Sequence, residues 1–411
     1  MKKISRYILV FVTILAAAVA LPNLYWLAFE KPISTPFVMY SSLEKDFFII
    51  RFSEDNVRTD TRGNIYTRDE FESKLPLYYA RQLVLNGTLP DSINGVEMDL
   101  HQINYYRSFF RFRPREMFMP EPGLYPLFES ESGRANLELP NDVFRISDRM
   151  EFIDAETNRI DERKSQMFTT VLNNRNFAYP ATKIAGLPTT RKSCDEGYFV
   201  VDSKDCMYHI KMIEGEPYVV KIEVPEGLTF RHIVCVDFTD KKYYNYLISS
   251  ENEIYILTQD DYEFIKLPVE GYDPEVDELR IFGGMFNYTI IMRREGYMKT
   301  VALDSDYNKV DEYSETWPVR GKTREGVVAS TIFPFQLRLQ DNNNSYINFY
   351  PEKPAGFYWI IVNIVLMLLQ LFVIRRSNLK PGKNIIDLAI IALTGVYGFL
   401  AVNFFQNKFF D

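Results

Sequence analysis

Residues 304–315, DSDYNKVDEYSE, crowd Asp304, Asp306, Asn308, Glu312 and Glu315 into one short stretch. Oxygen donors at alternating positions are what a calcium ion takes from a loop. Asp304, Asp306, Asn308 and Glu315 are therefore the candidate metal ligands of this chain. Lys309, however, stands where such a loop turns sharply on Gly, and no helical pattern flanks the stretch. Asp and Asn side chains also close ordinary β-turns, and that reading fits the surrounding strand pattern better. The acidic turns at Asp260-Asp261 and 154–158 are read in the same way.

Nitrogen and sulfur donors are sparse. The three histidines, His101, His209 and His232, show no ligand spacing. His209 follows Cys206 closely, so a metal could draw on both together with Cys235, although half-buried strand residues account for them more simply. Three cysteines leave at least one unpaired. Cys194 and Cys206 bracket a strand-like run at 197–202. Six extended residues span roughly 20 Å, whereas a disulfide needs Cα atoms within about 7 Å, so that pair is not expected to bridge. Cys206 with Cys235 across neighbouring strands, or buried free thiols, both stand open. There is no Gly-x-x-x-x-Gly-Lys loop, no Gly-x-Ser-x-Gly and no His-Glu-x-x-His. No cofactor is expected, and no catalytic residue is singled out. Glycosidase chemistry would need a carboxylate pair at a set separation, which spacing in sequence does not give.

The elements that would position any site fall into membrane and outer parts. Three apolar blocks stand out of a chain of 411 residues whose mean hydropathy is only −0.18. The first is YILVFVTILAAAVALPNLYWLAF, 7–29; Ala18-Val19-Ala20 resembles a signal-peptidase site, but the apolar run continues past it to Phe29 and favours an uncleaved anchor. The second is GFYWIIVNIVLMLLQLFVI, 356–374, and the third runs over 385–405. About 20 apolar residues cross a bilayer, so three transmembrane helices are expected. Asp387 near the start of the third is read as reaching water or the basic loop rather than as an intramembrane site.

Lys2, Lys3 and Arg6 precede the first block, and Arg375, Arg376, Lys380 and Lys383 lie between the second and third. The positive-inside rule places both clusters in the cytoplasm. The expected order is a cytoplasmic N-terminus (1–6), a signal anchor (7–29), a mixed α/β extracytoplasmic region (30–141) and a β-repeat region (142–335). An outer linker (336–355), a helix (356–374), a cytoplasmic basic loop (375–384), a helix (385–405) and an outer tail (406–411) follow. The protein is expected in the inner, cytoplasmic membrane with its main domain on the periplasmic side. Formal charge is −8, and taking away the seven flanking bases leaves the rest strongly acidic. Such a domain is a poor partner for nucleic acid, whose phosphates need Lys and Arg.

Local signals predict several elements. FFIIRF at 47–52 reads as a strand that could complete a terminal blade. Thr67 and Glu70 form a capping-box pattern opening a helix to about Leu75. A second helix from Pro76 should stop at Asn86-Gly87, and 98–111 reads as a third, rich in Tyr and Phe. From about 142 short strands repeat, led by Tyr198, Tyr246 and Tyr288 at spacings of 48 and 42, each with a second Tyr (Tyr208, Tyr255, Tyr297) 9 or 10 residues on. FRISDRMEFIDAETNRID from Phe144 is a weaker copy. That period matches β-propeller blades. The fold class expected is a mainly β extracytoplasmic domain, a propeller-like array of four or five blades with a small α/β N-terminal part, plus three transmembrane helices. A sandwich or meander of similar hairpins is the competing architecture.

The stretches RKSCDEGYFVVDSKDCMYHIKM, NEIYILTQDDYEFIKLPVEGYDPEVDELRI and LTGVYGFLAVNFFQNKFFD resemble an uncharacterised family of bacterial membrane proteins carrying a domain of unknown function, over nearly the whole length. The resemblance implies company with ABC-type transporter subunits and supplies no site residue. The function expected is a non-enzymatic membrane-anchored binding or accessory protein, with the lipid bilayer and a membrane protein complex as partners. The GVYG stretch (395–398) would offer close helix packing. A membrane-anchored hydrolase acting on glycans or peptides is the rival.

Overall fold

The computed structural model describes residues 2–407 apart from 32, 53–55, 135, 193, 342, 355 and 378–380. Lys380 of the basic loop and residues 408–411 of the tail lie outside the described residues, as do the side chains of Lys2 and Lys383. The chain divides into two compact units. One holds 36–294 with 298–314; the other holds 1–35, 295–297 and 315–411.

The first unit is a series of β layers. A hairpin (Asp142–Ile146, Met150–Asp154) comes first, followed by two four-stranded meanders. One contains Lys183–Gly186, Tyr198–Val201, Met207–Ile213 and Glu216–Ile222; the other Phe230–Cys235, Tyr243–Ser249, Ile254–Thr258 and Phe264–Lys266. A five-stranded sheet joins Glu278–Gly283, Asn287–Arg294, Tyr297–Asp304 and Lys309–Thr316 to the distant strand Ser108–Phe112. Tyr198, Tyr246 and Tyr288 each fall in a buried strand of a different sheet, so each repeat is one layer. Alternation along these strands joins the layers, because successive side chains point to opposite faces. Tyr198 and Val200 pack with Phe144 and Phe152 of the hairpin. Phe199 and Val201 meet Leu247 and Leu257 of the next sheet. Tyr246 and Ile248 then meet Tyr288 and Ile290 of the one after.

The three-stranded sheet Phe37–Ser41, Asp46–Arg51, Val57–Asp60 follows, where the Tyr40 amide donates to Thr289 Oγ1 at 3.2 Å. The layers do not close into a propeller, and the FFIIRF strand builds this separate sheet instead of completing a blade. Ser108–Phe112 completes the five-stranded sheet, paired with Glu278–Gly283. Its burial alternates strictly, so these residues are strand and the expected helix shortens to Leu100–Tyr106.

Helix ends follow the local chemistry. Thr67 and Glu70 form the reciprocal capping box, and the next helix, Ala80–Asn86, ends at Gly87 with φ 67°, a conformation that favours Gly. Helix Glu162–Asn174 covers the open edge of the hairpin. Ser165 Oγ accepts from the Phe152 amide at 2.9 Å, and Thr169 Oγ1 both accepts from and donates to the Met150 backbone. An exposed strand edge is thereby closed to other chains.

In the second unit, helices Lys2–Phe29 and Trp359–Arg376 are long and apolar enough to cross a membrane. Tyr25 and Trp26 sit near the end of the first, with the Arg320 guanidinium stacked 3.9 Å over Trp26 and paired to Glu30. The expected outer linker contains a β-hairpin, Gln336–Gln340 with Ile347–Glu352, and the expected end of the repeats is a helix, Arg324–Ile332. The third expected span is overturned: 385–405 forms two short helices, Ile385–Thr394 and Val396–Phe404, broken at Gly395. Gly395 has φ 55° and ψ −126°, a conformation reserved for Gly. Asp387 is also corrected. It is 2% exposed and receives both terminal guanidinium nitrogens of Arg6, itself fully buried, at 2.8 Å each.

Candidate functional site

A candidate site in the β unit is a cavity of about 380 Å³, within the range of small-molecule pockets. Four segments far apart in sequence build it: 39–42 at the end of a strand, 75–78 after the capped helix, 103–109, and the turn 282–287 between two strands. Phe282 is its aromatic centre, with ring centroids 4.9 Å from Phe109, 5.8 Å from Phe37 and 6.2 Å from Tyr78. Close approach is enforced at Gly283, where a Cβ would stand 2.2 Å from Ser108 Oγ.

Arg107 is the charged residue of the lining. It ends helix Leu100–Tyr106, and its Nη2 donates to the carbonyls of Leu77 at 2.7 Å and Tyr78 at 3.4 Å, which fixes the guanidinium at the rim. Among the described residues no carboxylate lies within ion-pair range of it. Desolvation lowers its affinity for its proton, Tyr78 pulls the other way, and the nearby Arg81 lowers it further. Arg stays charged under such shifts, so the rim of the cavity carries a positive charge with no carboxylate paired to it among the described residues. Burial pushes the Tyr78 phenol up, against the pull of Arg107. The lining residues include no Asp, Glu, His or Cys.

The residues singled out from sequence lie elsewhere. Asp304 Oδ1 accepts from the amides of Asp306 and Asn308 at 2.9 and 2.8 Å, and Oδ2 takes Asn308 Nδ2 at 3.2 Å. This is an Asx-type turn that spends its own acceptors, with Glu315 away on the strand that follows. Slight burial raises the Asp304 pKa, but the donors of Asn308 and Asp306 prevail and hold it below its ordinary value. Among the described residues no three His, Cys, Asp or Glu side chains gather as a metal site.

His209 has both ring nitrogens engaged, Nδ1 with Tyr262 Oη at 2.8 Å and Nε2 with the Glu196 carbonyl at 2.6 Å. Its ring stacks on Phe199 at 4.2 Å. Burial drives its pKa down to about 3, so it is a neutral core residue. All three cysteines are free; Cys206 sits in a turn bound to Asp202, and Cys194 and Cys235 line one small crevice.

Arg107, Tyr78, Phe109 and Phe282 were missed from sequence. The one available signal was the Tyr- and Phe-rich run around 98–111, read as helix throughout.

No curated protein matches the chain. Among solved structures it is similar, at 10% identity and a TM-score of 0.23, to the β-propeller domain of Cps50 (Swd1) from Myceliophteria thermophila, over 55% of this chain and 61% of that one. A second, the dihydro-heme d1 dehydrogenase NirN in complex with DHE, gives 9% identity and a TM-score of 0.21 over 60% of this chain and 72% of that one. The chain thus spans about six tenths of the propeller domain, and scores this low carry no structural argument. A family described as a domain of unknown function (DUF4857) matches residues 37–303, which hold all four cavity segments, and the chain belongs to that family.

Proposed function

We propose that this is a non-enzymatic, membrane-anchored binding protein whose β domain lies outside the cytoplasm. Its cavity would take a small ligand with an apolar or aromatic body and one anionic group. The observation that carries the reading is Arg107: a guanidinium held by two carbonyls, at the rim of an aromatic pocket, without a carboxylate partner among the described residues. An anionic ligand group would supply that partner through charge-assisted hydrogen bonds, while Phe282 and its neighbours would bury the apolar body. A hydrolase would need titratable groups converging on the cavity, and the lining contains no carboxylate, imidazole or thiol. In this reading the protein is a multi-pass component of a bacterial inner membrane, serving a complex such as an ABC-type transporter. The partner assignment rests on the resemblance of the sequence alone.

The ligand half is tested by calorimetry on the full-length protein with three matched probes: 4-phenylbutyrate, 4-phenylbutanol and 4-phenylbutylamine. Saturable binding of the carboxylate, weaker binding of the alcohol and none of the amine are expected. A hydrogen bond to a charged group contributes about 1.5–3 kcal/mol, so Arg107→Gln should weaken the carboxylate about ten-fold or more and leave the alcohol unchanged. Equal binding of all three probes, or an indifferent Arg107→Gln, would sink the proposal. The partner half is tested by purifying the tagged protein from its native membrane in mild detergent. Stoichiometric recovery of transporter subunits is expected, and recovery of the protein alone from a sample with intact complexes would refute it.

A further inference from the structure

We infer that residues 384–407 form a re-entrant helical hairpin, which enters the membrane and leaves it on the side it came from. A straight helix over 385–405 would be about 31 Å long, enough for the hydrocarbon core of about 30 Å. The two helices observed have 10 and 9 residues, roughly 15 Å each. Neither crosses alone.

The ends of the segment are adjacent. Asn407 Nδ2 donates to Asn384 Oδ1 at 3.2 Å. Arg6 holds both legs at once, with its terminal nitrogens on the Asp387 carboxylate and its Nε on the Phe405 carbonyl at 2.7 Å. Residues 387 and 405 would stand about 27 Å apart on a straight helix, so one guanidinium could not reach both. The legs also touch near the tip, where a Cβ at Gly398 would lie 3.0 Å from the Ile390 carbonyl. Gly395 makes the reversal. Its amide still donates to Ile391 and its carbonyl still accepts from Phe399, so each leg keeps a bonded end on either side of the bend.

Polar groups in hydrocarbon must find partners inside the protein, and three contacts within the unit do this. Asn363 Nδ2 donates to the Ala392 carbonyl at 2.9 Å near the tip. Gln370 Oε1 accepts from Asn403 Nδ2 at 2.8 Å on the second leg. Tyr397, at the tip, donates to the Phe335 carbonyl at 2.6 Å. Arg6 belongs to the N-terminal helix, so Gln406 and Asn407 emerge on the side of the membrane where that helix starts. A tail on the opposite side, as three full crossings require, is excluded by this arrangement.

Sidedness of single cysteines tests the inference in the full-length protein, in intact cells, with Cys194, Cys206 and Cys235 replaced by Ala. Sites are Lys3→Cys, Gln406→Cys and Tyr346→Cys, the last in the loop between the strands that precede the second spanning helix. A membrane-impermeant maleimide is applied before and after permeabilisation. Lys3→Cys and Gln406→Cys should share one pattern and Tyr346→Cys the opposite one. Labelling of Gln406→Cys together with Tyr346→Cys would overturn the hairpin.

The comparison is between sites, so it holds whichever side is cytoplasmic. If the cysteine-free protein does not accumulate, alkaline phosphatase fused after Gln340 and after Asn407 of the wild-type chain gives the same decision. Activity in one fusion only is expected, and equal activity in both refutes the inference.

Discussion

Breaking the Arg6–Asp387 pair should destabilise the helical unit more than any ordinary surface change, and removing both charges together should recover most of the loss. The Arg6 side chain is fully buried and that of Asp387 is 3% exposed, with two hydrogen bonds of 2.8 Å between them. Deleting one partner leaves the other as an uncompensated buried charge, at a cost of about 3–5 kcal/mol. Arg6→Met and Asp387→Leu should each show a loss of that size. The double variant removes both charges but leaves the Phe405 carbonyl without its Arg6 donor, a deficit of about 1–3 kcal/mol, and takes both charged neighbours from the Tyr7 hydroxyl. The two substitutions should therefore couple by several kcal/mol.

The assay is thermal unfolding of the full-length protein in mild detergent, followed by tryptophan fluorescence. Trp26, Trp317 and Trp359 all belong to this unit, so the signal reports on it alone. Single variants that melt like the wild type, or a double variant no better than the worse single, would refute the reasoning.

Three further outcomes follow from the same kind of argument. Glu278 faces Arg111, Arg280 and Arg293, and although burial alone would raise its pKa, those contacts lower it to about 2. A carboxylate depressed from about 4.3 when unfolded adds stability above that pH and loses it as pH falls toward 2. Glu278→Gln should thus lose roughly 3 kcal/mol at pH 7, and its urea midpoint by far-UV circular dichroism should fall less steeply than the wild type's between pH 5 and 3. His209 titrates in both proteins and cancels, so parallel curves would discredit the assignment to Glu278.

Gly395→Ala would place a Cβ 2.1 Å from Asn363 Oδ1 in a conformation only Gly adopts. It should lower the melting temperature of the membrane unit, whereas Gly382→Ala, with open space around it, should not. Burial pushes the Cys235 thiol up to about 12. Iodoacetamide at pH 8 should accordingly leave it unmodified in the folded protein and alkylate it in urea, as peptide mass mapping would show.

What the sequence revealed was local. The Thr67–Glu70 box, the Asn86-Gly87 stop and the Tyr-led strands each depend on neighbours within about ten residues, and each appears in the structure. The reversal at Gly395 depends on Arg6, some 390 residues away, and an apolar run of helical length gives no sign of it. Within that run GVYG reads as close packing between helices; the contact that Gly398 makes is indeed close, but it is with Ile390 of the same segment. The expectation for Asp387 fails for the same reason. Proximity to the basic loop is a local clue, and the partner that buries it is distant.

The cavity shows the same limit. Its four segments are spread over residues 39–287, and Arg107 stands where a helix ends one residue before a strand begins. An uninterrupted aromatic helix would have carried Arg107 and Phe109 round its axis and made no pocket. The strand Ser108–Phe112 is drawn out of that pattern by pairing with Glu278–Gly283, a contact no local window contains.

The boundaries of the family match separate the two proposals. Residues 37–303 include Tyr78, Arg107, Phe109 and Phe282, and leave out Arg6, Asp387 and Gly395. The cavity is thus built wholly from the shared domain, and the hairpin wholly from sequence outside it. A domain whose layers are locked by buried aromatic side chains can hold four loops in fixed relation, as a preformed pocket requires. The hairpin depends on one guanidinium joining three chain segments in an apolar surrounding. If the matched probes fail to distinguish charge, the binding reading of the domain falls and the hairpin stands untouched. If Gln406 labels with Tyr346, the membrane topology falls and the pocket keeps its ligand class.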